Sequence, residues 1–199
     1  MFIEQKDMVG QAYINATREY CDYLEEHLNN IRKAFQELSE ACEGMEWVGD
    51  DKSWNDVRTN ICEHDVSKFS MYEFTQYRDN FFPTEYTPKN LKRSFNAAWK
   101  HHYENNPHHS EYIYSMKKTF KKQFPGAVEG LLVHMVIDWM AMSYKFGGTA
   151  QSYYESHSDK HKLTDSEIEF IYILFDKLEK YNERIDKQTN QGFFGRIFS

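Results

Sequence analysis

Apolar side chains recur every three or four residues along most of this chain, and that period constrains its fold more than any other feature. Over residues 4–41, Tyr13, Tyr20, Leu24, Ile31, Phe35 and Leu38 return at helical spacing, and Gly44 and Gly49 close the segment. Over 52–67, Trp54, Val57, Ile61 and His64 share one side of a second helix. No stretch alternates apolar with polar residues as a half-buried strand does, and no repeat is present.

Turn and cap residues divide the rest. Ser70 and Glu73 have capping-box spacing and predict a short helix through Tyr77. Pro83 and Pro88 mark a loop, after which Thr87 can cap a helix with Pro88 at its first position, stopped near Asn106 by Pro107. A short helix is predicted over 109–122, before Pro125 and Gly126. Residues 127–146, with Leu131, Leu132, Met135, Val136, Trp139 and Met142, form the most apolar helix, ended by Gly147 and Gly148. Thr149 caps a short piece, and Thr164 with Glu167 opens a last amphipathic helix to about Arg184. The expected fold is all-α, a single bundle domain of about seven or eight helices over 1–187. A tail over 188–199 carries the apolar run Phe193-Phe194-Gly195-Arg196-Ile197-Phe198, which can dock on its own domain, on a second subunit or on a partner.

Composition narrows the function classes. In 199 residues, 40 % hydrophobic and 17 % aromatic content supplies one core, which favours one domain over two. No apolar run approaches the roughly 18 residues of a membrane span. The first ten residues carry Glu4, Lys6 and Asp7 where a signal peptide is apolar. Cys21, Cys42 and Cys62 are odd in number and lack CxxC spacing, so a reducing cytoplasm is expected, without a disulfide framework or a thiolate zinc site. A net charge of -7 argues against a duplex nucleic-acid surface, which needs basic excess. It leaves small phosphorylated ligands open, because a few local cations and a metal can hold those.

The residues with chemistry are histidines and aspartates. In Glu63-His64-Asp65-Val66-Ser67-Lys68, a neighbouring imidazole and carboxylate end an apolar helix face, and together they suit Mn, Fe, Co, Ni or Zn. Taken alone, such a pair is common. His27, however, shares a face with Leu24, Ile31 and Phe35, and Asp138 shares one with Leu131, Met135 and Met142. A buried carboxylate without a partner costs several kcal/mol or takes up a proton, so Asp138 needs a partner, and a metal is a good one. Each has a plain structural reading by itself: a satisfied core histidine, a salt-bridged aspartate. Together they favour a metal. Four more histidines, His101, His102, His108 and His109, stand within nine residues. His102 shares a face with Phe95, Ala98 and Trp99 and is expected to point inward; His101 lies on a more polar side. Pro107 breaks the helix and can turn His108 or His109 toward the same pocket.

The order His, His-Asp, Asp resembles the HD superfamily of metal-dependent phosphohydrolases. The resemblance implies His27 as the first histidine, His64 and Asp65 as the central pair and Asp138 as the distal aspartate. Lys68 matches the lysine that often follows the pair and is associated with phosphate binding. Histidines between the pair and the last aspartate imply a two-metal subclass, here drawn from His102 and His109 before His101 and His108. More closely, HDVSKFS, AWKHHYENNPHH and DWMAMS are similar to a largely uncharacterised HD-type family found in phages and bacteria, over roughly residues 20–180. The interval from His27 to His64 is long for a compact HD core.

What the resemblance implies is hydrolysis of a small phosphate ester, a nucleotide by preference, with one or two divalent transition-metal ions. Asp65 and Lys68 would act in catalysis, and unligated His101 or His108 could protonate the leaving oxygen. Two other readings stand beside it: an HD-type diiron oxygenase, and a non-catalytic protein that keeps a metal for stability and binds through its tail. Lys160 and Lys162 either reach the pocket mouth or belong to a solvated loop. Exposed aromatic faces and the tail make a homodimer the default assembly.

Overall fold

The computed structural model describes residues 8–45, 52–115 and 127–197. These residues form eight α-helices with no strand among them: α1 Val9–Ala41, α2 Lys52–Cys62, α3 Phe74–Phe81, α4 Lys92–Asn105, α5 from 110 and described to 115, α6 Ala127–Phe146, α7 Ala150–His157 and α8 Asp165–Ile197. Two 3-10 turns, Val66–Phe69 and Ser158–Lys160, join α2 to α3 and α7 to α8.

The apolar period of α1 becomes an unbroken inner stripe. Ala16, Tyr20, Leu24, His27, Ile31, Ala34 and Leu38 are all buried, each three or four residues from the last. α6 differs in kind. Val128, the whole run 131–137, Trp139, Met140 and Ala141 are buried, so this helix is covered on all sides. It packs against α1, α2, α7 and α8 and forms the axis of the bundle. None of the described helices is long and apolar enough to cross a membrane.

The buried side chains separate into two clusters. The larger joins Ile31, Ala34 and Leu38 of α1 to Val57 of α2, the inner face of α6, Tyr154 of α7 and Ile171, Leu174 and Phe175 of α8. The smaller joins Tyr20 and Leu24 of α1 to Tyr77 of α3 and Ala98 of α4, with Phe74, Phe82 and Phe95 around them. His27 stands on α1 between Leu24 of the small cluster and Ile31 of the large one. The polar residues described next occupy that seam.

Several boundaries differ from the expectation, each for a local reason. The helix predicted over 52–67 stops at Cys62, because residues 63–65 leave the helical path and Asp65 takes a left-handed φ of 59°. The Ser70–Glu73 capping box does not form; Glu73 directs its carboxylate at two histidines, and the Ser70 hydroxyl is buried with no partner. α4 starts at Lys92 rather than at Pro88, because Thr87 Oγ1 accepts from the Thr84 N–H and closes a turn behind it. The predicted helix over 109–122 is seen over 110–115; its remainder lies outside the described residues, as do residues 4–7 and Gly49. α8 continues past Arg184 to Ile197, supported by Lys180–Asp176 and Lys187–Glu183 pairs one turn apart. The side chains of the 193–198 run lie outside the described residues.

The end of α6 and the starts of α7 and α8 follow the expected signals. Gly147 and Gly148 take φ of 86° and 85°, which an L side chain resists, and Gly147 N–H closes on Ser143 O. Thr149 and Ser152 then form a reciprocal capping box on α7. Glu167 reaches back to the Thr164 N–H at 2.8 Å and secures the start of α8.

Candidate metal centre

Successive side chains on a helix point about 100° apart, so His64 and Asp65 could not both face one ion from inside α2. The turn at 63–65 removes that conflict. Aspartate tolerates the left-handed region better than most residues, at a cost of about 1–3 kcal/mol. With φ at 59°, Asp65 turns inward beside His64, and the two are 2 % and 3 % exposed.

The two carboxylate oxygens of Asp65 then face different partners. Oδ2 lies 3.4 Å from His27 Nε2, 3.4 Å from His64 Nε2 and 2.5 Å from Lys68 Nζ. Oδ1 lies 3.3 Å from His102 Nε2 and 3.7 Å from His108 Nε2. Asp138, one helix away on α6, places Oδ1 3.3 Å from His27 Nε2 and 3.7 Å from His64 Nε2. The imidazoles of His27 and His64 meet through their Nε2 atoms at 3.0 Å, so the long interval between them in sequence is spanned by α1 and α2 folding together.

Among the described residues, three groups bring potential ligand atoms within 4.8 Å of one another: His27, His64 and Asp65; Asp65, His102, His108 and His109; and His64, His108 and His134. Asp65 belongs to two of them and Asp138 adjoins the first. The seven residues come from α1, the turn after α2, α4, the turn around Pro107 and α6. Pro107 ends α4 as expected and brings both following histidines back, His108 stacking on His64 at 4.3 Å and lying tilted against His134 at 4.7 Å.

Further residues hold these groups in place. Glu73 is completely buried and accepts at both oxygens, Oε2 from His102 Nδ1 at 2.8 Å and Oε1 from His101 Nδ1 at 2.6 Å. A histidine held through Nδ1 by a carboxylate presents Nε2 as a lone pair, the arrangement common behind metal-bound imidazoles. Asn106 at the end of α4 donates to His102 O at 2.7 Å and to Ser67 Oγ at 2.6 Å, tying α4 to the 66–69 turn.

Charge is distributed unevenly. Burial disfavours the ionised form of Asp65, yet His64, Lys68 and His27 hold its carboxyl well below the usual range. Burial likewise opposes the charge on Asp138, and its bond to His27 wins. Burial would strip His27 of its proton, but hydrogen bonds to Asp138 and Asp65 raise it to about 9. His109 and His134 go the other way, pushed by burial down to about 3, and His108 is also pushed far down. The centre therefore holds neutral imidazoles at His108, His109 and His134 and a protonated one at His27, beside two carboxylates.

That donor set fits a transition metal. Asp65 Oδ1, His108 Nδ1 and His109 Nε2 are buried polar atoms without a hydrogen-bond partner. Buried polar atoms of this kind are rare in folded proteins and call for a ligand or water. Imidazole nitrogens mixed with carboxylate oxygens suit divalent ions of the Mn-to-Zn series. These buried His and Asp groups could hold a metal ion.

All six residues expected as ligands, His27, His64, Asp65, His102, His109 and Asp138, lie in the centre, and Lys68 touches Asp65. His108 is inside it as well, closer to Asp65 than expected from its lesser standing. His101 is not: its ring is partly exposed, bonded to Glu73 and stacked on Tyr72. Lys162 lies over the Tyr114 ring at 4.9 Å, and its neighbour His161 packs on Trp139. Two members went unread in the sequence. Glu73 has the spacing of a cap, which masked it. His134 lies one turn before Asp138 on the same face of α6, a spacing that could have paired them.

The chain belongs to a family of unknown function, DUF5662. The family model matches residues 16–187, which takes in every residue of the centre. No curated protein and no solved structure matches the chain.

Proposed function

We propose that this member of the family is an HD-type, two-metal phosphohydrolase acting on a small phosphate ester, with a nucleotide as the preferred class. The observation that carries the reading is the division of Asp65 between two histidine groups, one oxygen toward His27 and His64 and the other toward His102 and His108. A carboxylate placed in this way suits a bridge between two cations. His27, His64, Asp65 and Asp138 would hold one, and Asp65, His102, His108 and His109 the other.

Divalent ions bound there supply Lewis acidity, which brings the pKa of water toward neutrality and offsets charge on a phosphoryl group. The chain's own residues do the rest. Lys68, nearly enclosed and kept charged by Asp65 against the cost of burial, provides a fixed cation for a phosphate oxygen. Asp138 is the more open carboxylate, with 19 % of its side chain exposed against 3 % for Asp65, so substrate would enter on its side. Tyr23 and Tyr153, which both feel the charge of Asp138, carry hydroxyls whose ionisation is suppressed by burial, leaving them neutral at pH 7. His108 falls in the second histidine group and is read as a ligand rather than a proton donor, and His101, bonded to Glu73, lies outside the groups.

A second reading follows from the donor count. Five or more imidazoles beside two carboxylates also favour iron, which suits an HD-type diiron oxygenase. Metal content separates the two. Protein purified without chelators is expected to carry close to two transition-metal ions per chain and to release phosphate from nucleotides when supplied with Mn, Co or Ni. Asp65→Asn is expected to lose more than about 100-fold in metal affinity, above the range seen for outer partners, together with all phosphate release. Full phosphohydrolase activity in Asp65→Asn would sink the proposal; mixed-valence iron with O2 consumption and no phosphate release would favour the oxygenase. Retained metal with neither activity would leave a metal-stabilised binding protein.

A further inference from the structure

His134 is the single histidine of α6, set between Val133 and Met135 in the most thoroughly buried part of the bundle. Its Nε2 lies 2.9 Å from His64 Nδ1, and its own Nδ1 is buried with no partner. The other nitrogen of His64, Nε2, faces His27 Nε2 at 3.0 Å, Asp65 Oδ2 at 3.4 Å and Asp138 Oδ1 at 3.7 Å.

We infer that His134 is a positioning residue for the metal centre: it accepts a hydrogen bond from His64 Nδ1–H and thereby fixes His64 with its Nε2 lone pair aimed at the cation. Proton counting leads there. A neutral imidazole has one N–H and one lone pair. Nε2 of His64 faces two carboxylates, where a divalent cation belongs, so its lone pair must be there and its proton on Nδ1. That proton needs an acceptor, and His134 Nε2 is the atom within reach. His134 then carries its own proton on Nδ1, the nitrogen that does not face His64. Asp138 and His134 are one turn apart, so a single helix both contributes a ligand and orients another.

The competing possibility is that His64, His108 and His134 form a three-nitrogen site of their own, since their ligand atoms also converge. It would require His64 to bind through Nδ1 and turn a proton toward Asp65 and Asp138. Neutral nitrogens attract a divalent cation less than two ionised carboxylates do, so the first arrangement is favoured. The inference rests on the cation-binding part of the function proposed above and not on the reaction.

The test is titration of the full-length, metal-stripped protein with Co(II), followed by visible absorption and chelator competition. His134→Leu removes the acceptor and suits its apolar surroundings. His134→Gln places an amide oxygen near the position of Nε2. His134→Leu is expected to bind Co(II) 10- to 100-fold more weakly in at least one site, the range for lost outer partners, with a changed d–d spectrum. His134→Gln is expected to recover to within about threefold of the parent. In the zinc-loaded parent, nitrogen-15 NMR is expected to show His64 protonated at Nδ1. Circular dichroism checks that each variant is folded, and the NMR measurement needs no variant. Undiminished binding by His134→Leu, or a His64 proton on Nε2, overturns the assignment. So does loss of one whole equivalent in both variants, which would make His134 a ligand. Absence of Co(II) binding by the parent would remove this role and the function together. Binding without phosphate release would remove the function alone.

Discussion

A carboxylate that must serve two sides of a centre is constrained at both oxygens, and Asp65 shows how. Its left-handed backbone turns the side chain out of the α2 axis, and five groups then compete for its two oxygens. Glu73 illustrates the complementary constraint. Read by spacing, it is a helix cap; in the folded chain it is fully buried and holds two imidazoles, and the first turn of α3 goes without a side-chain cap. Removing its charge while keeping its shape should therefore be felt at His102. Glu73→Gln is expected to weaken metal binding 10- to 100-fold, measured by chelator competition, while far-UV circular dichroism stays unchanged. An affinity equal to that of the parent would mean that His102 orients itself without help.

At the scale of elements, the structure depends on where helices stop. α2 ends early and delivers His64 and Asp65; α4 ends at Pro107 and delivers His108 and His109; α6 ends on two left-handed glycines and releases α7. Gly148 tests the last of these. A Cβ there would sit 2.8 Å from Ser152 Oγ, the same hydroxyl that completes the α7 capping box, and φ of 85° penalises any side chain. Gly148→Ala is expected to cost about 1–3 kcal/mol, lowering the melting temperature by roughly 2–12 °C for a domain of this size. Metal content should be unaffected, since no residue of the centre lies on that turn. Deep in α6, Leu132→Ala is expected to cost about 2–5 kcal/mol, because the surrounding helices leave little room to collapse around the cavity.

For the whole molecule, the buried centre ties folding to pH. In metal-stripped protein His109 and His134 have their proton affinity depressed to about 3, and His108 is depressed as well. As pH falls below about 6.5, an unfolded chain takes up these protons and the folded one does not, so stability falls. Asp65 and Asp138, depressed from the ordinary carboxylate value, add to that loss in stronger acid. His27 has the opposite sign. Raised to about 9, it contributes stability that is complete below about 6.5 and disappears as pH rises through 9. Metal-free protein is therefore expected to melt highest near pH 6.5 and lower on both sides, by calorimetry across a pH series. A metal must displace the His27 proton, so the gain in melting temperature on adding metal should grow from pH 6 to pH 9. A gain that shrinks over that interval would place His27 outside the metal site.

Helical class, the apolar stripe of α1, the buried character of α6 and the breaks at Pro107 and at Gly147-Gly148 were determined by the sequence alone. Each depends on residues within a turn or two of one another, and local periodicity and cap chemistry report such things directly. His27, His64, Asp65 and Asp138 stood out because a charged or imidazole group on an apolar helix face is conspicuous, whereas His102 and His109 were named as ligands through the resemblance to the HD superfamily. Which oxygen of Asp65 faces which histidine, that His101 goes to Glu73, and that His134 stands behind His64 were decided only by the tertiary structure. Those facts depend on distances between helices remote in sequence and on one left-handed residue, and no local pattern encodes either.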